Sequence, residues 1–266
     1  MPLGPRQMPA SRSPVPGEPP APVKTMAPIK VHGITGSPPV RAVLLTCKAL
    51  GVDYEFHLVN TLRGDHKTPE FLKLNPLHTV PVIEDGDFVL CDSHAIVTYL
   101  ADKTGSDKWY PKDAQKRAVV DQRLHFDNAI LFTRVRDILE PVLYFGEPTF
   151  RSESVKDLEK ALVLLDAVLG DNDFVAGSEP TVADCCCIAS VSTMLGLVPR
   201  LPVPERVAAW VRRCEKTLPS YKEVNVPGVK GIAKLARNVW LRRAYGAYLG
   251  VEKRLSAALG RARTRR

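Results

Sequence analysis

Hydrophobic and polar positions in residues 29–104 change their period several times, which predicts short strands alternating with helices. Ile29–Gly33 and Tyr54–Leu58 fit strands. Between them, apolar residues recur at helical spacing until Gly51, a residue type that commonly ends helices. The other predicted elements are a helix at Thr68–Leu74, strands at Val80–Glu84 and Phe88–Cys91 joined by a turn, and a helix at Ala95–Lys103. This β-α-β-α-β-β-α order predicts an α/β unit that ends in a hairpin.

The pattern after this unit is helical throughout. Helical periodicity covers Ala114–Phe145, with a kink predicted at Pro141 because proline cannot complete the helical hydrogen-bond ladder. Thr181 and Asp184 have the spacing of a capping box at a helix start. The other predicted helices are Ser154–Leu169, Val182–Leu195, Glu205–Lys216 and a short one around Tyr221–Glu223. We therefore expect an α/β domain followed by an all-α domain.

Segments of different composition flank these two domains. We place the α/β domain at residues 27–104 and the all-helical domain at residues 112–236. Residues 1–26 contain eight prolines and few large apolar side chains, which predicts a disordered leader. An organellar transit peptide and an extended start upstream of Met26 are the alternative interpretations of this leader.

The C-terminal residues 237–266 form a basic tail in which apolar residues recur at spacings of three and four. Trp240, Tyr248 and Leu255 belong to the apolar set, and arginines and lysines occupy other positions. A basic amphipathic helix can make a weak contact with an anionic membrane or partner surface. The alternative is a frayed, solvated tail without function.

The net charge of +8 at pH 7 belongs to the ends of the chain and not to its body. Residues 234–266 contain ten Lys and Arg and one acidic residue, whereas residues 27–233 have a net charge of −3. The body therefore supplies no basic face of the kind that nucleic-acid binding requires. We expect no nucleic-acid partner.

The six cysteines indicate neither a disulfide framework nor a zinc site. Three of them are adjacent, at positions 185–187, and the chain has no Cys-x-x-Cys and no suitable Cys/His spacing. No apolar run approaches the roughly 18 residues that are needed to cross a bilayer. The expectation is a reduced, cytoplasmic protein with thiols in its core, no metal and no membrane span.

Ser37 is the first candidate for chemistry because it precedes the first predicted helix. Backbone N–H groups and the positive end of the helix dipole converge there, so an anion is stabilised and the hydroxyl can donate to it. Plain N-capping is the alternative. Val80-Pro81 is the second candidate, because a cis proline would turn the preceding backbone toward a ligand, whereas a trans proline would be structural.

Acidic and hydroxyl side chains also coincide at the start of the third predicted helix. Ser93 and nearby N–H groups suit a carboxylate, and Asp92 suits an ammonium group, although helix capping would explain both. His66 and His78 lie in loops that flank the second helix, where an imidazole can hydrogen-bond a terminal carboxylate or simply face solvent. Two histidines near one rim strengthen the first interpretation.

Four motifs occur in a specific order, namely Ser37-Pro-Pro-Val-Arg-Ala, Phe71-Leu-Lys-Leu-Asn-Pro-Leu-His-Thr-Val-Pro81, Asp92-Ser-His-Ala-Ile96 and Tyr110-Pro-Lys-Asp113. Because of these motifs, residues 27–236 resemble a cytosolic glutathione S-transferase of the insect delta and epsilon classes. Asp92-Ser93-His94, with Leu124-His-Phe-Asp127 and Leu131-Phe132, is more similar to the epsilon class.

The resemblance implies a homodimer whose thioredoxin-like N-terminal domain binds glutathione and whose helical C-terminal domain carries most of the electrophile pocket. Ser37 would stabilise the glutathione thiolate. The other implied glutathione-binding residues are His66, His78, Thr79, Val80, Pro81, Asp92, Ser93 and His94. The residues implied to face the second substrate are Ile34, Phe132 and Arg136. Two positions depart from the family pattern, since Gly36 replaces a bulkier apolar residue and Leu77 replaces a glutamine.

The implied activity is conjugation of glutathione, as co-substrate, to hydrophobic electrophiles in detoxification. A hydroxyl donor at a helix N-terminus favours a thiolate over the thiol, whose ordinary pKa is about 8.5. Because a serine cannot form a mixed disulfide, Ser37 argues against glutaredoxin-like chemistry. The family also permits peroxidase or dehydrochlorinase activity. The alternatives are a weakly catalytic carrier of apolar ligands such as steroids, and a structural module of a larger complex.

Overall fold

In the computed structural model of the protein, residues 28–239 are described. The predicted leader at residues 1–26 and most of the predicted tail, residues 240–266, lie outside them. Within the described range, no helix combines the length and apolar character needed to cross a membrane. The boundaries of the two domains stay predictions.

The N-terminal part is built on a mixed four-stranded sheet with the strand order β2-β1-β3-β4. The strands are β1 (Ile29–Gly33), β2 (Tyr54–Leu58), β3 (Val82–Asp85) and β4 (Phe88–Cys91). β1 pairs in parallel with β2 and antiparallel with β3, and β3 and β4 form the predicted hairpin. Val31 of β1 lies opposite Phe56 of β2 and Ile83 of β3. This is the thioredoxin-like sheet that the resemblance implied.

Three helices accompany the sheet, α1 (Pro38–Leu50), α2 (Pro69–Leu74) and α3 (Ser93–Thr104). Gly51 ends α1 as predicted, with a φ of 66°. The strand predicted from Val80 begins only at Val82, because Pro81 has no N–H to donate to a neighbouring strand. The helix predicted from Ala95 begins at Ser93, directly after its capping residue Asp92.

The C-terminal part contributes helices and no strand to the sheet within its described range, which confirms the predicted fold class. Its helices are α4 (Ala114–Phe126), α5 (Thr133–Leu143), α6 (Ser152–Leu169), α7 (Val182–Leu197), α8 (Glu205–Thr217) and α9 (residues 221–239). A π-helical segment, Asp127–Phe132, joins α4 to α5, and Pro141 lies inside α5, where the kink stays a prediction. The helix predicted around Tyr221–Glu223 is far longer than expected.

The buried helix α7 is the centre of the helical part, where it packs against α1, α4 and the π-helical segment. Every residue from Val182 to Met194 is buried, the three adjacent cysteines included. Burial raises the pKa of Cys185 to about 12, so this thiol stays protonated. The prediction of core thiols is therefore confirmed for these residues.

The predicted capping box at the start of α7 is present. Asp184 is completely buried, and its carboxylate accepts hydrogen bonds from the N–H groups of Thr181 at 2.9 Å and Val175 at 3.0 Å. The indole Nε1 of Trp210 donates to the same carboxylate at 2.9 Å. Asp184 thus ties α7 to α8 and to the loop before α7, in a structural role.

Candidate active site

Ser37 ends the loop between β1 and α1 and occupies the N-cap position of α1, but its side chain does not cap the helix. Pro38 and Pro39 follow it and have no N–H groups, which removes the nearest backbone donors. Among residues 28–239, no hydrogen bond of the Ser37 hydroxyl is found, although its N–H donates to the carbonyl of Ile34 at 2.9 Å. The capping interpretation is therefore wrong, and the hydroxyl is available to a ligand at the positive end of α1.

An apolar cavity of about 310 Å³ opens beside Ser37. Ile34, Phe132 and Arg136, the three residues predicted to face a second substrate, all line it together with Ser37. Arg136 is exposed at the rim, where its Nε donates to Glu140 at 2.9 Å. The structure thus places the thiolate-stabilising candidate and the predicted electrophile-facing residues around one cavity.

One wall of this cavity comes from α9, which the sequence analysis missed. The α9 residues that line it are Pro227, Gly228, Gly231, Ile232 and Leu235. Small and apolar residues at spacings of three and four were the available signal. A second apolar cavity of about 260 Å³ is lined by other residues of α9, and none of the predicted site residues lines it.

A contact between the two parts of the chain also lies in the lining of this cavity. The hydroxyls of Thr61, after β2, and Tyr144, after α5, lie 3.1 Å apart, and both residues line the cavity. Neither was predicted as a site residue. The cavity is therefore bounded by the N-terminal loops on one side and by α5 and α9 on the other.

The predicted loop residues around α2 lie close to one another. The rings of His66 and His78 are 6.1 Å apart. Burial lowers the pKa of His66, and the nearby Lys67 and His78 lower it further, so the imidazole of His66 is neutral at pH 7. The Val80-Pro81 peptide bond is cis, as implied. Asn75, which was not predicted, is buried and holds this loop, since its Nδ2 donates to the carbonyl and the hydroxyl of Thr79, each at 2.9 Å.

Asp92 does cap a helix. Its Oδ1 accepts from the N–H groups of His94 at 2.9 Å and Ala95 at 3.1 Å, at a φ of 74° that few non-glycine residues adopt. Ser93 is buried beside it, whereas Asp92 is exposed. β1 and β4 run in the same direction because both are antiparallel to β3, so the loops that follow them, with Ser37 and Asp92, lie at the same edge of the sheet.

His94 reaches across to the helical part. Its Nε2 lies 2.9 Å from Oδ2 of the buried Asp127 in the π-helical segment. Burial alone would lower the pKa of His94, but hydrogen bonds to Asp127 and Asp92 outweigh it and raise the pKa to about 9. The imidazolium therefore adds a positive charge to this rim at neutral pH.

Cys186 completes a group of three potential metal ligands with His94 and Asp127, whose ligand atoms all lie within 4.8 Å of one another. His94 and Asp127 are hydrogen-bonded directly to each other, and burial raises the pKa of the Cys186 thiol far above its ordinary value. This chemistry favours a protonated hydrogen-bonded cluster over a thiolate ligand. The predicted lack of a metal stays a prediction.

Comparisons with known proteins agree with this architecture. Residues 31–108 match the family model "Glutathione S-transferase, N-terminal domain". "Glutathione S-transferase 1" of Manduca sexta is 45% identical over 204 residues, which cover 74% of this chain and 92% of that protein.

Solved structures of both insect classes are similar to the chain. A delta-class glutathione transferase from Nilaparvata lugens is 41% identical, with a TM-score of 0.74, over 80% of this chain and 100% of that one. An epsilon-class glutathione S-transferase from the housefly, Musca domestica, is 34% identical, with a TM-score of 0.74, over 79% of this chain and 98% of that one. The chain belongs to the glutathione S-transferase family, in its insect delta/epsilon branch.

Proposed function

We propose that this glutathione transferase joins the glutathione thiolate to hydrophobic electrophiles, and that Ser37 stabilises the thiolate. One observation carries the proposal. The Ser37 hydroxyl is unused by its own helix, lies at the positive end of α1 and lines an apolar cavity. A donor and a helix dipole at this position favour the anionic form of a bound thiol, which is the nucleophile.

The cavity gives the reaction its second requirement, which is proximity. An electrophile held against Phe132, Leu139 and Ile232 loses its water and lies next to Ser37. The thiolate sulfur then forms a bond to an electrophilic carbon of a molecule that is already oriented, and the bond from that carbon to its leaving group breaks, so that the group departs with the electron pair. The step thereby gains the advantage of an intramolecular reaction. The apolar lining favours hydrophobic substrates of modest size.

The rest of the glutathione molecule would lie on the polar rim outside this cavity. We assign its glycyl carboxylate to His66 and His78, its cysteinyl backbone to Val80, and its γ-glutamyl end to Asp92 and Ser93. The proximity of the two histidine rings and the exposure of Asp92 support these assignments. Thr79 and Pro81 would shape the loop, since both acceptors of Thr79 are occupied by Asn75.

His94 completes the proposed γ-glutamyl site as a cation next to Asp92. The distance between its Nδ1 and Oδ1 of Asp92 is 3.6 Å, and Asp127 holds its other nitrogen. A fixed imidazolium near a carboxylate-binding serine supplies charge complementarity for the substrate carboxylate. We further propose that the protein is an epsilon-like detoxification enzyme and that it acts in the cytoplasm.

The proposed assembly is a homodimer. β4 is an edge strand, and its apolar side chains Phe88 and Val89 are exposed, at 46% and 38%. Exposed apolar edges are normally covered by a partner. Light scattering of the purified protein tests this, with twice the monomer mass as the expected result and a monomer as the contradicting one.

The proposed activity is tested by binding and turnover on the same preparation. The protein should be retained on immobilised glutathione and should then conjugate glutathione to chlorodinitrobenzene or to a bulkier electrophile, followed by absorbance. Binding without turnover across several electrophiles would contradict the proposal and favour the carrier of apolar ligands. Failure to bind glutathione would contradict both.

A further inference from the structure

Arg41 is a charged side chain in the core of the protein. It lies in α1, one turn after Ser37, and none of its surface is exposed. Its Nη1 donates two hydrogen bonds, to the carbonyls of Thr35 and Gly36, each at 2.9 Å. These are the two residues directly before Ser37, so the guanidinium holds the backbone that carries the candidate catalytic hydroxyl.

The same guanidinium is bonded to the helical part of the protein. Nη2 donates to the carbonyl of Ala189 at 3.1 Å and to the hydroxyl of Thr193, both in α7. Nε donates to Oδ1 of Asn225 in α9 at 2.7 Å. Asn225 is oriented by its own bond from Nδ2 to the Ser192 hydroxyl, at 2.9 Å. All five N–H donors of Arg41 thus have acceptors, which lie in the loop before Ser37, in α7 and in α9.

None of these five acceptors is a carboxylate, and within residues 28–239 no ion pair of Arg41 is found. Burial lowers the pKa of Arg41 to about 9, and the guanidinium is still cationic at pH 7. Tyr221 is the titratable group whose charge would affect the pKa of Arg41. It is neutral at pH 7, because burial raises its pKa to about 12. A buried charge held only by neutral acceptors requires the full set of hydrogen bonds.

α9 approaches this unit more closely than a side chain would allow. A Cβ atom at Gly228 would clash with the carbonyl oxygen of Thr35 and with Cδ of Arg41. Glycine therefore lets the α9 backbone lie directly on the loop before Ser37. One and two helical turns later, Ile232 and Leu235 line the proposed substrate cavity.

We propose that Arg41 is a positioning residue that fixes the Ser37 loop and the α9 wall of the cavity in one arrangement. The inference rests on the proposed function of Ser37. The planar fork of arginine is essential to it, because a lysine ammonium cannot bond two adjacent loop carbonyls, Thr193 and Asn225 at once. Loss of the fork would let the loop move away from the bound thiol and would loosen the wall that holds the electrophile.

The experiment compares the wild type with Arg41→Lys and Arg41→Gln. The pKa of enzyme-bound glutathione is measured from the ultraviolet absorbance of the thiolate against pH, and glutathione affinity is measured by calorimetry. We expect both variants to raise the thiol pKa by about one unit toward the free value, with kcat/KM about tenfold lower below pH 7 and largely recovered above pH 9. Glutathione affinity should change less than about threefold, because the proposed binding residues are untouched.

Arg123→Gln is the matched control. Arg123 also bonds across elements, with Nε 2.7 Å from the Val175 carbonyl, but it does not contact the Ser37 loop. Arg123→Gln should lower the melting temperature of the protein and leave the pKa of the bound glutathione thiol unchanged. If the Arg41 variants do not fold, Gly228→Ala keeps the guanidinium and displaces the Thr35 carbonyl, and the same rise of the thiol pKa is expected.

The outcomes separate the two proposals. A wild-type protein that binds glutathione without lowering its thiol pKa would contradict the function assigned to Ser37. If the wild type lowers the pKa of the bound thiol and Arg41→Lys keeps the same lowered pKa, the positioning role of Arg41 is overturned. The function assigned to Ser37 is then unaffected. An unchanged thiol pKa in folded Gly228→Ala would overturn the positioning role as well.

Discussion

The imidazole of His94, in α3, and the carboxylate of Asp127, in the π-helical segment, form a 2.9 Å hydrogen bond that joins the two parts of the chain. Asp127 is buried, and its other oxygen, Oδ1, has no hydrogen-bond partner among residues 28–239. Together with the bond between His94 and Asp92, this bond raises the pKa of His94 to about 9 against the opposing effect of burial. It therefore couples the proposed γ-glutamyl site to the stability of the fold.

Asp127→Asn should reveal this coupling as a pH-dependent loss of stability. The pKa of His94 is higher in the folded than in the unfolded chain, so its contribution is complete below the unfolded pKa of about 6.5 and is lost as the pH rises through about 9. We expect the variant to lose about 2 kcal/mol of unfolding free energy at pH 6. This difference should shrink steadily toward pH 10 in urea titrations.

Asp137→Asn is the control for this experiment, because Asp137 pairs with Arg134 at 2.9 Å on the exposed face of α5. Exposed pairs contribute little, and we expect a change below about 0.5 kcal/mol at every pH. A constant difference between wild type and Asp127→Asn from pH 6 to pH 10 would show that His94 is not the group responsible.

Leu235→Trp tests whether α9 forms the electrophile wall. The larger side chain would occupy part of the 310 Å³ cavity. We expect kcat/KM for a bulky electrophile to fall about tenfold, with a smaller effect on a compact one, because volume in the cavity is what changes. Glutathione affinity should stay constant, since the glutathione-binding candidates other than Ser37 lie outside the cavity lining.

The control for the α9 wall is Lys234→Ala, at the adjacent exposed position. It should leave the kinetics with both electrophiles as in the wild type. Equal effects of Leu235→Trp on bulky and compact electrophiles, or no effect on either, would argue that the second substrate binds elsewhere.

Asp184→Asn should be among the most destabilising single changes in the protein. The carboxylate accepts from Val175 and Trp210 on one oxygen and from Thr181 on the other in a completely buried site, and an amide would replace one of these oxygens with an NH₂ that faces a donor. We expect a loss of about 3 kcal/mol in denaturant unfolding, against about 1 kcal/mol for Thr181→Ala. Equal losses in the two variants would mean that the bonds to Val175 and Trp210 contribute little.

Much of this fold follows from local pattern. The period of two in β1 and the spacing of apolar residues in α1 identify both elements, because they match the geometry of a strand and of a helix. Gly51 marks the end of α1, because glycine commonly ends a helix. The capping box at Thr181 and Asp184 is equally local. The positions of Ser37, Asp92 and Ser93 at helix starts identify them as site candidates, and the family resemblance supplies their roles.

The missed features depend on tertiary contacts. α9 contains Pro227, Gly228 and Gly231, which predict an interruption, yet Gly228 is what allows the helix to lie on the Thr35 carbonyl. An arginine in a helix suggests an exposed position, and only the fold supplies the five acceptors that let Arg41 be buried. The π-helical segment keeps a helical spacing of apolar residues, so it resembles ordinary α-helix in the sequence.

The most direct test of the account is the pKa and turnover of bound glutathione in Ser37→Ala. Removing the hydroxyl should raise the thiol pKa toward about 8.5 and lower kcat at pH 6.5 about 100-fold, while glutathione affinity is retained. Ser152→Ala, which removes an exposed hydroxyl at the start of α6, is the matched control and should behave as the wild type. Near wild-type turnover and an unchanged thiol pKa in Ser37→Ala would contradict the role of Ser37 as the residue that stabilises the thiolate.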